Sequence, residues 1–258
     1  MPRLGSRSRM QLLRTLGPLA FIAVSFSTIS ARAQDYTHRS FLASDGHFEI
    51  TGEPSRPQIV RIDVSNNPPH PVSLAPHFYW GVSDHVTIGI THRYGLCVSG
   101  CEHPYNDVGF GLLVGLAQTH GFELDINTGI QSRSLDPFFI GWKGGVIGRI
   151  SGDRVAFVFD PSVYVAFNRR EQGNADELVL PFWVYIQATH HVVPFVGAML
   201  VGPVRGFSDH LAVPVEGGVI FRIGERVDLG AYFRFGNLLG RGGNPDAREA
   251  GMLGRFRF

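Results

Sequence analysis

Apolar and polar side chains alternate along most of this chain, and this pattern restricts the fold more than any other feature. In residues 122–130 the even positions are apolar or Thr, while the odd positions include Glu123 and Asp125. Residues 155–167 and 227–235 repeat the alternation. A repeat of two places successive side chains on opposite faces of a β-strand. The sequence therefore predicts an all-β fold.

The length of the alternating stretches separates a soluble sandwich from a membrane barrel. The stretches run for about 10 to 13 residues, close to the 9 to 11 that a tilted strand needs to cross a bilayer, whereas soluble strands average about 5 or 6. Charged residues make up only 17% of the 258 residues, against about 25% in soluble domains. We therefore expect a transmembrane antiparallel β-barrel, with its apolar face toward lipid and its polar face toward the lumen.

Turns and loops give the number of strands. Short turns are predicted at residues 83–85, 119–121, 152–153, 189–190 and 224–226, and longer loops at 97–106, 131–137, 168–177, 204–210 and 239–246. Eleven strands fit between residue 72 and the C-terminus, and residues 57–65 supply a twelfth. Ten remain if residues 57–65 or 192–203 are not strands. Pro161 falls in mid-strand, where its missing N–H has no explanation at this stage.

The N-terminus has the pattern of a secretory signal peptide. A basic start is followed by an apolar stretch at residues 16–29 and by the small-residue site Ala31-Arg32-Ala33. An uncleaved anchor helix is the alternative. We therefore divide the chain into a signal peptide (1–33), an N-terminal periplasmic segment or plug (34–56) and a barrel (57–258).

The two cysteines, Cys97 and Cys101, lie close together in the sequence. In an exported protein such a pair predicts a disulfide that closes a small loop. The alternative is a metal site in which His103 is a third ligand. Because no fourth ligand is nearby, we predict the disulfide, no metal site and no cofactor.

Charged residues on the polar faces are candidates for the lining of the lumen. They are Arg93, Glu123, Asp125, Lys143, Arg149, Asp160, Glu216, Arg222, Asp228, Arg234, Glu249, Arg255 and Arg257. Such residues set the selectivity of a channel when the lumen is open. They pair with one another when the lumen is filled. Both interiors fit the sequence, and we expect an aqueous path.

The C-terminus provides a resemblance to a known class. Phe256 and the final Phe258 share a face with Met252, and this ending resembles the signal by which the assembly machinery recognises outer-membrane β-barrels in Gram-negative bacteria. Residues 74–89 also look like a hairpin common in such proteins. The resemblance implies location in the outer membrane, contact with its lipid and interaction with the assembly machinery.

Other functional classes receive less support from the sequence. A net charge of +1 and a single lysine argue against a nucleic-acid partner. His85, His120, His190 and His191 lie at three separate turns and are expected to be ordinary polar turn residues. His92 is predicted to face lipid beside Tyr94, with no serine on that face, so no catalytic residue is predicted.

We therefore expect a monomeric, porin-like barrel for passive passage of small polar solutes. One alternative is a closed barrel that presents its extracellular loops to partners. A lipid hydrolase of the outer membrane is the other.

Overall fold

The structure is a computed structural model that describes residues 35–66, 69–241 and 246–258. The predicted signal peptide lies outside the described residues. Within the described ranges, no helix has both the length and the apolar character needed to cross a membrane.

The described residues form sixteen strands and two short 3-10 turns. The strands are β1 (Phe48–Thr51), β2 (Gln58–Asp63), β3 (Val72–Leu74), β4 (His77–Ser83), β5 (Val86–Thr91), β6 (Leu96–Ser99), β7 (Gly109–Thr119), β8 (Phe122–Leu135), β9 (Phe138–Ser151), β10 (Val155–Phe159), β11 (Ser162–Ala166), β12 (Glu177–Ile186), β13 (Val192–Pro203), β14 (Val215–Ile223), β15 (Val227–Phe235) and β16 (Arg248–Arg257). The 3-10 turns are Tyr36–His38 and Arg170–Gln172.

The strands close into an antiparallel barrel with twelve positions around its wall. Four of these positions are built from two consecutive short strands: β1 with β2, β3 with β4, β5 with β6, and β10 with β11. Each remaining strand occupies one position. Both β1 and β2 pair with β16, and this pairing closes the ring. The prediction of a twelve-stranded barrel is confirmed.

The distribution of side chains is the reverse of that in a soluble protein. Large apolar residues cover the outside, among them Trp80 (51% exposed), Phe110 (53%) and Ile150 (55%). Charged residues such as Glu123 and Arg222 are almost completely buried. The alternation in the sequence therefore places apolar groups outside and charged groups inside, as in a membrane barrel.

The two ends of the barrel differ. Tight turns join β4 to β5, β7 to β8, β9 to β10 and β14 to β15, and all lie at one end. We call it the short-turn end, and the opposite end the long-loop end. One predicted loop at the long-loop end, 131–137, was wrong: β8 runs to Leu135, β9 starts at Phe138, and only Asp136 and Pro137 connect them.

The first residue of the wall and the break between two strands at Pro161 both differ from the strand boundaries expected from the sequence. The wall begins at Phe48, where Phe48 and Phe258 exchange backbone hydrogen bonds of 3.3 and 2.9 Å. Pro161 separates β10 from β11, yet its carbonyl still accepts a 3.1 Å hydrogen bond from the N–H of Val146. The wall therefore passes this proline without opening.

Candidate functional site

The barrel interior holds the charged residues that the sequence assigns to the lumen. Eight of them are buried inside the wall: Glu123, Asp125, Arg149, Asp160, Glu216, Arg222, Asp228 and Arg255. The others, Arg93, Lys143, Arg234, Glu249 and Arg257, are partly exposed and also form ion pairs inside the barrel.

Residues 35–47 enter the barrel at the short-turn end, with residues 36–43 largely buried inside and 44–47 exposed where the chain returns to the wall, and we call them the plug. The backbone N–H of Tyr36 donates to the Gln187 side chain at 2.9 Å. The imidazole Nδ1 of His38 lies 2.7 Å from the carbonyl of His120. Both contacts join the plug to short turns of the wall, so the plug is anchored where it enters the lumen.

Charged side chains of the wall hold the middle of the plug. The hydroxyl of Ser40 and the N–H of Phe41 both donate to Glu123, at 2.6 and 2.9 Å. Arg149 pairs with Glu123 and donates to the carbonyl of Arg39. The Arg39 guanidinium in turn pairs with Asp228. These buried contacts satisfy charges that would be costly to leave unpaired in the interior.

Apolar packing adds to the polar anchors of the plug. Tyr36 packs on Tyr185 with 5.4 Å between ring centroids. Phe41 and Leu42 belong to the same buried cluster, together with inward-facing apolar residues of the wall. The wall members are Tyr79, Leu113, Ile147, Ala156, Val158, Trp183, Tyr185, Val193, Phe195, Ile220, Tyr232 and Leu253.

A second insertion comes from the wall itself. Residues 52–57, between β1 and β2, leave the wall and fold into the lumen, and we call them the tongue. Ser55 donates to Asp160 at 2.8 Å, and its carbonyl accepts from the Tyr185 hydroxyl at 2.8 Å. Arg56 pairs with Glu216 at 2.6 Å. Asp160 therefore binds the tongue next to Pro161, where the strand is interrupted.

The plug leaves a pocket of about 110 Å³ at the short-turn end, beside Ser44, His47 and Arg257, but the space where the plug and the tongue meet the middle of the wall is very small. A gap lined by Tyr36, Arg39, Phe41 and Ser55 has a volume of about 10 Å³. A second gap, between Glu53, Tyr79 and neighbouring wall residues, measures about 30 Å³. A single water molecule needs roughly 10–15 Å³, so these gaps leave no room for a solute.

The long-loop end is open by contrast and forms a cavity that we call the vestibule. Its inner part measures about 250 Å³ and reaches the tongue at Glu53. Its outer part measures about 540 Å³ and reaches Cys101 at the rim. Both parts are lined by Arg61, Tyr94, Arg133, Pro214, Arg234 and Glu249.

The deeper cations of the vestibule are paired with carboxylates. The Glu216 carboxylate forms ion pairs with Arg56 and, at 2.8 Å, with Arg234. It also accepts a 2.6 Å hydrogen bond from the Trp183 indole. Lys143 lies 3.6 Å from Glu53 of the tongue. The floor of the vestibule is thus a layer of paired charges between the tongue and the wall.

The loop between β5 and β6 corrects the prediction for His92 and Tyr94. His92 is buried rather than lipid-facing: Nδ1 lies 2.5 Å from the Pro76 carbonyl, and Nε2 lies 2.8 Å from the Tyr105 hydroxyl. Tyr94 lines the vestibule. The strand alternation ends at β5, and Gly95 then takes a positive φ of 60° that turns the chain.

Asp107 fixes the shape of this loop. Its carboxylate accepts backbone N–H groups from Arg93 at 2.5 Å, Tyr94 at 2.7 Å and Gly95 at 3.2 Å. Nearby, burial and the Asp107 charge raise the pKa of Tyr105. The Tyr105 hydroxyl therefore stays protonated at neutral pH, and with Nδ1 of His92 donating to the Pro76 carbonyl it can donate to Nε2 of His92.

The cysteines and histidines give no metal centre in the described part of the chain. Cys97 and Cys101 are joined by a disulfide at the rim of the long-loop end. No group of three or more His, Cys, Asp or Glu side chains among the described residues could hold a metal ion.

Sequence reasoning missed the residues that fill and line the interior most closely. Arg39, Ser40, Ser55 and Arg56 come from the plug and the tongue, whereas Arg133 was assigned to a loop. The wall strands contained a signal for the plug. Apolar residues at inward-facing positions, such as Ile220, break the alternation, and such side chains are expected to pack against other apolar groups inside the barrel.

No protein-family model matches this chain. A search of curated proteins also gives no match. OmpF of Salmonella typhi, solved with daunomycin, is 14% identical over 73% of this chain, which spans 62% of OmpF, with a TM-score of 0.39. The trimer form of OmpT from Vibrio cholerae is 8% identical over 84% of this chain and 100% of OmpT, with a TM-score of 0.40. A bacterial polysaccharide outer membrane secretin is 12% identical over 84% and 99% of the two chains, with a TM-score of 0.43.

These three structures are all of outer-membrane proteins. The closed antiparallel barrel, the apolar outer wall and the charged interior of this chain are independent of that comparison. By those three features the chain is of the general class of outer-membrane β-barrel proteins.

Proposed function

We propose that this protein is an outer-membrane barrel that its own plug and tongue keep closed, and that it acts at its long-loop end. The short-turn end would then face the periplasm and the long loops the outside, as in bacterial barrels generally. The apolar outer wall supports the membrane location.

The observation that carries this proposal is the lack of space where the plug meets the tongue. The gap of about 10 Å³ between the plug, the tongue and the wall is smaller than a solute. Thr37, in the first turn of the plug, is 0% exposed. Passage of small polar solutes, which the charged interior predicts, would require at least the plug, residues 35–47, to move out of the lumen.

The anchors of the plug and the tongue support a stable closed state. Arg39, Ser40, Phe41 and Arg56 all contact buried carboxylates of the wall. Removing one partner of a buried ion pair leaves an uncompensated charge, which costs about 3–5 kcal/mol. Spontaneous opening would break several such contacts at once.

Measurement of ionic conductance through the protein tests this proposal. The full chain would be expressed in a Gram-negative host, purified from outer membranes and inserted into planar lipid bilayers. We expect no steady ohmic steps from this protein. A variant that lacks residues 35–47 should give steps, provided that it still shows the heat-dependent gel shift of a folded barrel.

Steady steps from the unaltered protein would overturn the closed-barrel proposal and favour the porin-like function. Recovery of the protein in a soluble fraction of the host, with no outer-membrane pool, would overturn the membrane location.

A further inference from the structure

We propose that the vestibule binds a small anion with a phosphate or carboxylate group, through the guanidinium groups of Arg61, Arg93 and Arg133. These three side chains lie on β2, on the β5–β6 loop and on β8, and all line the inner part of the vestibule. No bound group is needed to keep the barrel closed, so this inference goes beyond the proposed function.

The charges at this place do not balance. Arg133 and Arg93 share one carboxylate, Glu177, at 3.0 and 3.6 Å. Arg61 forms no ion pair within 4.0 Å among the described residues, and its buried Nε has no hydrogen-bond partner there. Three guanidinium groups therefore face two carboxylates, Glu177 and Glu249, and Glu249 attracts Arg61 only from beyond ion-pair distance. The cations deeper in the vestibule all have a carboxylate within 4.0 Å.

Aromatic rings hold the three guanidinium groups in place. The guanidinium carbon of Arg61 lies 5.1 Å from the centroid of the Tyr94 ring, and that of Arg93 lies 5.6 Å from the same centroid. Arg133 lies over the Tyr164 ring at 3.6 Å. Such stacking leaves the N–H edges of arginine free to donate in pairs to a planar carboxylate or to a phosphate.

Backbone hydrogen bonds also fix the position of Arg93 and Tyr94. The Asp107 carboxylate binds three consecutive N–H groups of the loop that carries Arg93 and Tyr94. A ligand would thus meet side chains that are already oriented, which lowers the entropic cost of binding.

The size and position of the cavity fit a small organic anion. The oxyanion would lie at the three arginines, in the inner space of about 250 Å³. The rest of the molecule would extend into the outer space of about 540 Å³, which opens toward the rim. The wide mouth gives access from the long-loop end without any movement of the plug.

Titration calorimetry on the full chain in a neutral detergent tests this inference, with inorganic phosphate and citrate as separate probes. We expect saturable binding of at least one probe, weakening as ionic strength rises. Because a hydrogen bond to a charged group is worth about 1.5–3 kcal/mol, Arg61→Gln and Arg133→Gln should each weaken binding about tenfold or more.

Arg61→Gln removes no ion pair, so the barrel should fold, and the heat-dependent gel shift checks that it does. The matched control is Arg154→Gln, which removes an exposed arginine at the opposite, short-turn end. Binding of phosphate alone would assign a phosphate ligand, and binding of citrate alone a carboxylate ligand.

Two results would overturn the inference: no saturable heat with either probe from a folded barrel, or equal affinity in the Arg61→Gln and Arg154→Gln proteins. Neither result bears on the conductance test, so failure of this site and failure of the closed-barrel proposal remain distinguishable.

Discussion

The guanidinium group of Arg56 lies 2.6 Å from the carboxylate of Glu216, and the two side chains are 3% and 0% exposed. Arg56 belongs to the tongue, and Glu216 lies on β14, three strands around the wall from β2. The ion pair therefore ties a segment that has left the wall to a strand that is not its neighbour. It also forms part of the boundary between the filled half of the barrel and the vestibule.

Replacing Arg56 by Gln should destabilise the folded barrel. Glu216 would keep Arg234 and the Trp183 indole as partners, so we expect a loss of about 2–3 kcal/mol, at or below the usual cost of breaking a buried pair. Urea unfolding in detergent measures the change. Arg154→Gln is the control, and an unchanged unfolding midpoint in Arg56→Gln would contradict the prediction.

Arg39→Asp should release the plug. The substitution places a second carboxylate beside the buried Asp228 and removes the closer of its two cationic partners, while Arg222 stays at 3.8 Å. Two buried carboxylates repel, so the plug is expected to leave and ohmic current steps to appear in planar bilayers. Arg39→Lys keeps the positive charge and should remain silent. Silence of a correctly folded Arg39→Asp barrel would show that the plug does not depend on this pair.

The wall of the barrel could be predicted from the sequence because alternation reports directly on which side of a strand a residue lies. The same rule failed where a strand ends early. Tyr94 follows the alternation of β5 in the sequence, but the chain turns at Gly95 and brings the ring into the vestibule. A positive φ at one glycine cannot be read from periodicity.

The sequence assigned residues 34–56 to a periplasmic segment or plug, but the contacts that fill the lumen could not be predicted in the same way, because they join residues far apart in the sequence. Ser40 binds Glu123, and Ser55 binds Asp160. The sequence did contain an indirect sign. In residues 219–221 three apolar side chains follow one another, so one of them, Ile220, must point inward, and it packs in the cluster that covers the plug.

The connection between β11 and β12 should respond to acid through Asp176. Burial alone would raise the pKa of this carboxyl, but the N–H of Ala166 and the guanidinium of Arg170 lower it. Because the folded pKa lies below the unfolded value of about 3.9, Asp176 stabilises the loop above that pH. This contribution is lost as the pH falls through the lowered pKa.

The carboxyl carbon shift of Asp176, followed by NMR as pH is lowered, measures this directly. We expect a titration midpoint below about 3.9, and Arg170→Gln should move it upward because a neighbouring positive charge is lost. A midpoint at or above the ordinary value in the unaltered protein would refute the assignment.

Gly81→Ala should displace the C-terminal end of the plug, residues 44–47, while leaving the wall strands paired. A Cβ at Gly81 would lie 2.0 Å from the carbonyl oxygen of Ser44, far inside contact distance. The Gly81 N–H now donates to the His47 carbonyl at 3.0 Å, and its own carbonyl accepts from Gly46 at 2.9 Å. Only glycine allows the plug backbone to approach this closely.

We therefore expect Gly81→Ala to fold as a barrel, by its heat-dependent gel shift, and to conduct in planar bilayers. Gly217→Ala is the matched control, because a Cβ at Gly217 meets only the Phe195 carbonyl, at an ordinary 3.5 Å. It should fold and stay silent. Equal conductance in the two variants would mean that the close approach of Ser44 to Gly81 does not hold the plug in place, and that closure depends on the buried charges alone.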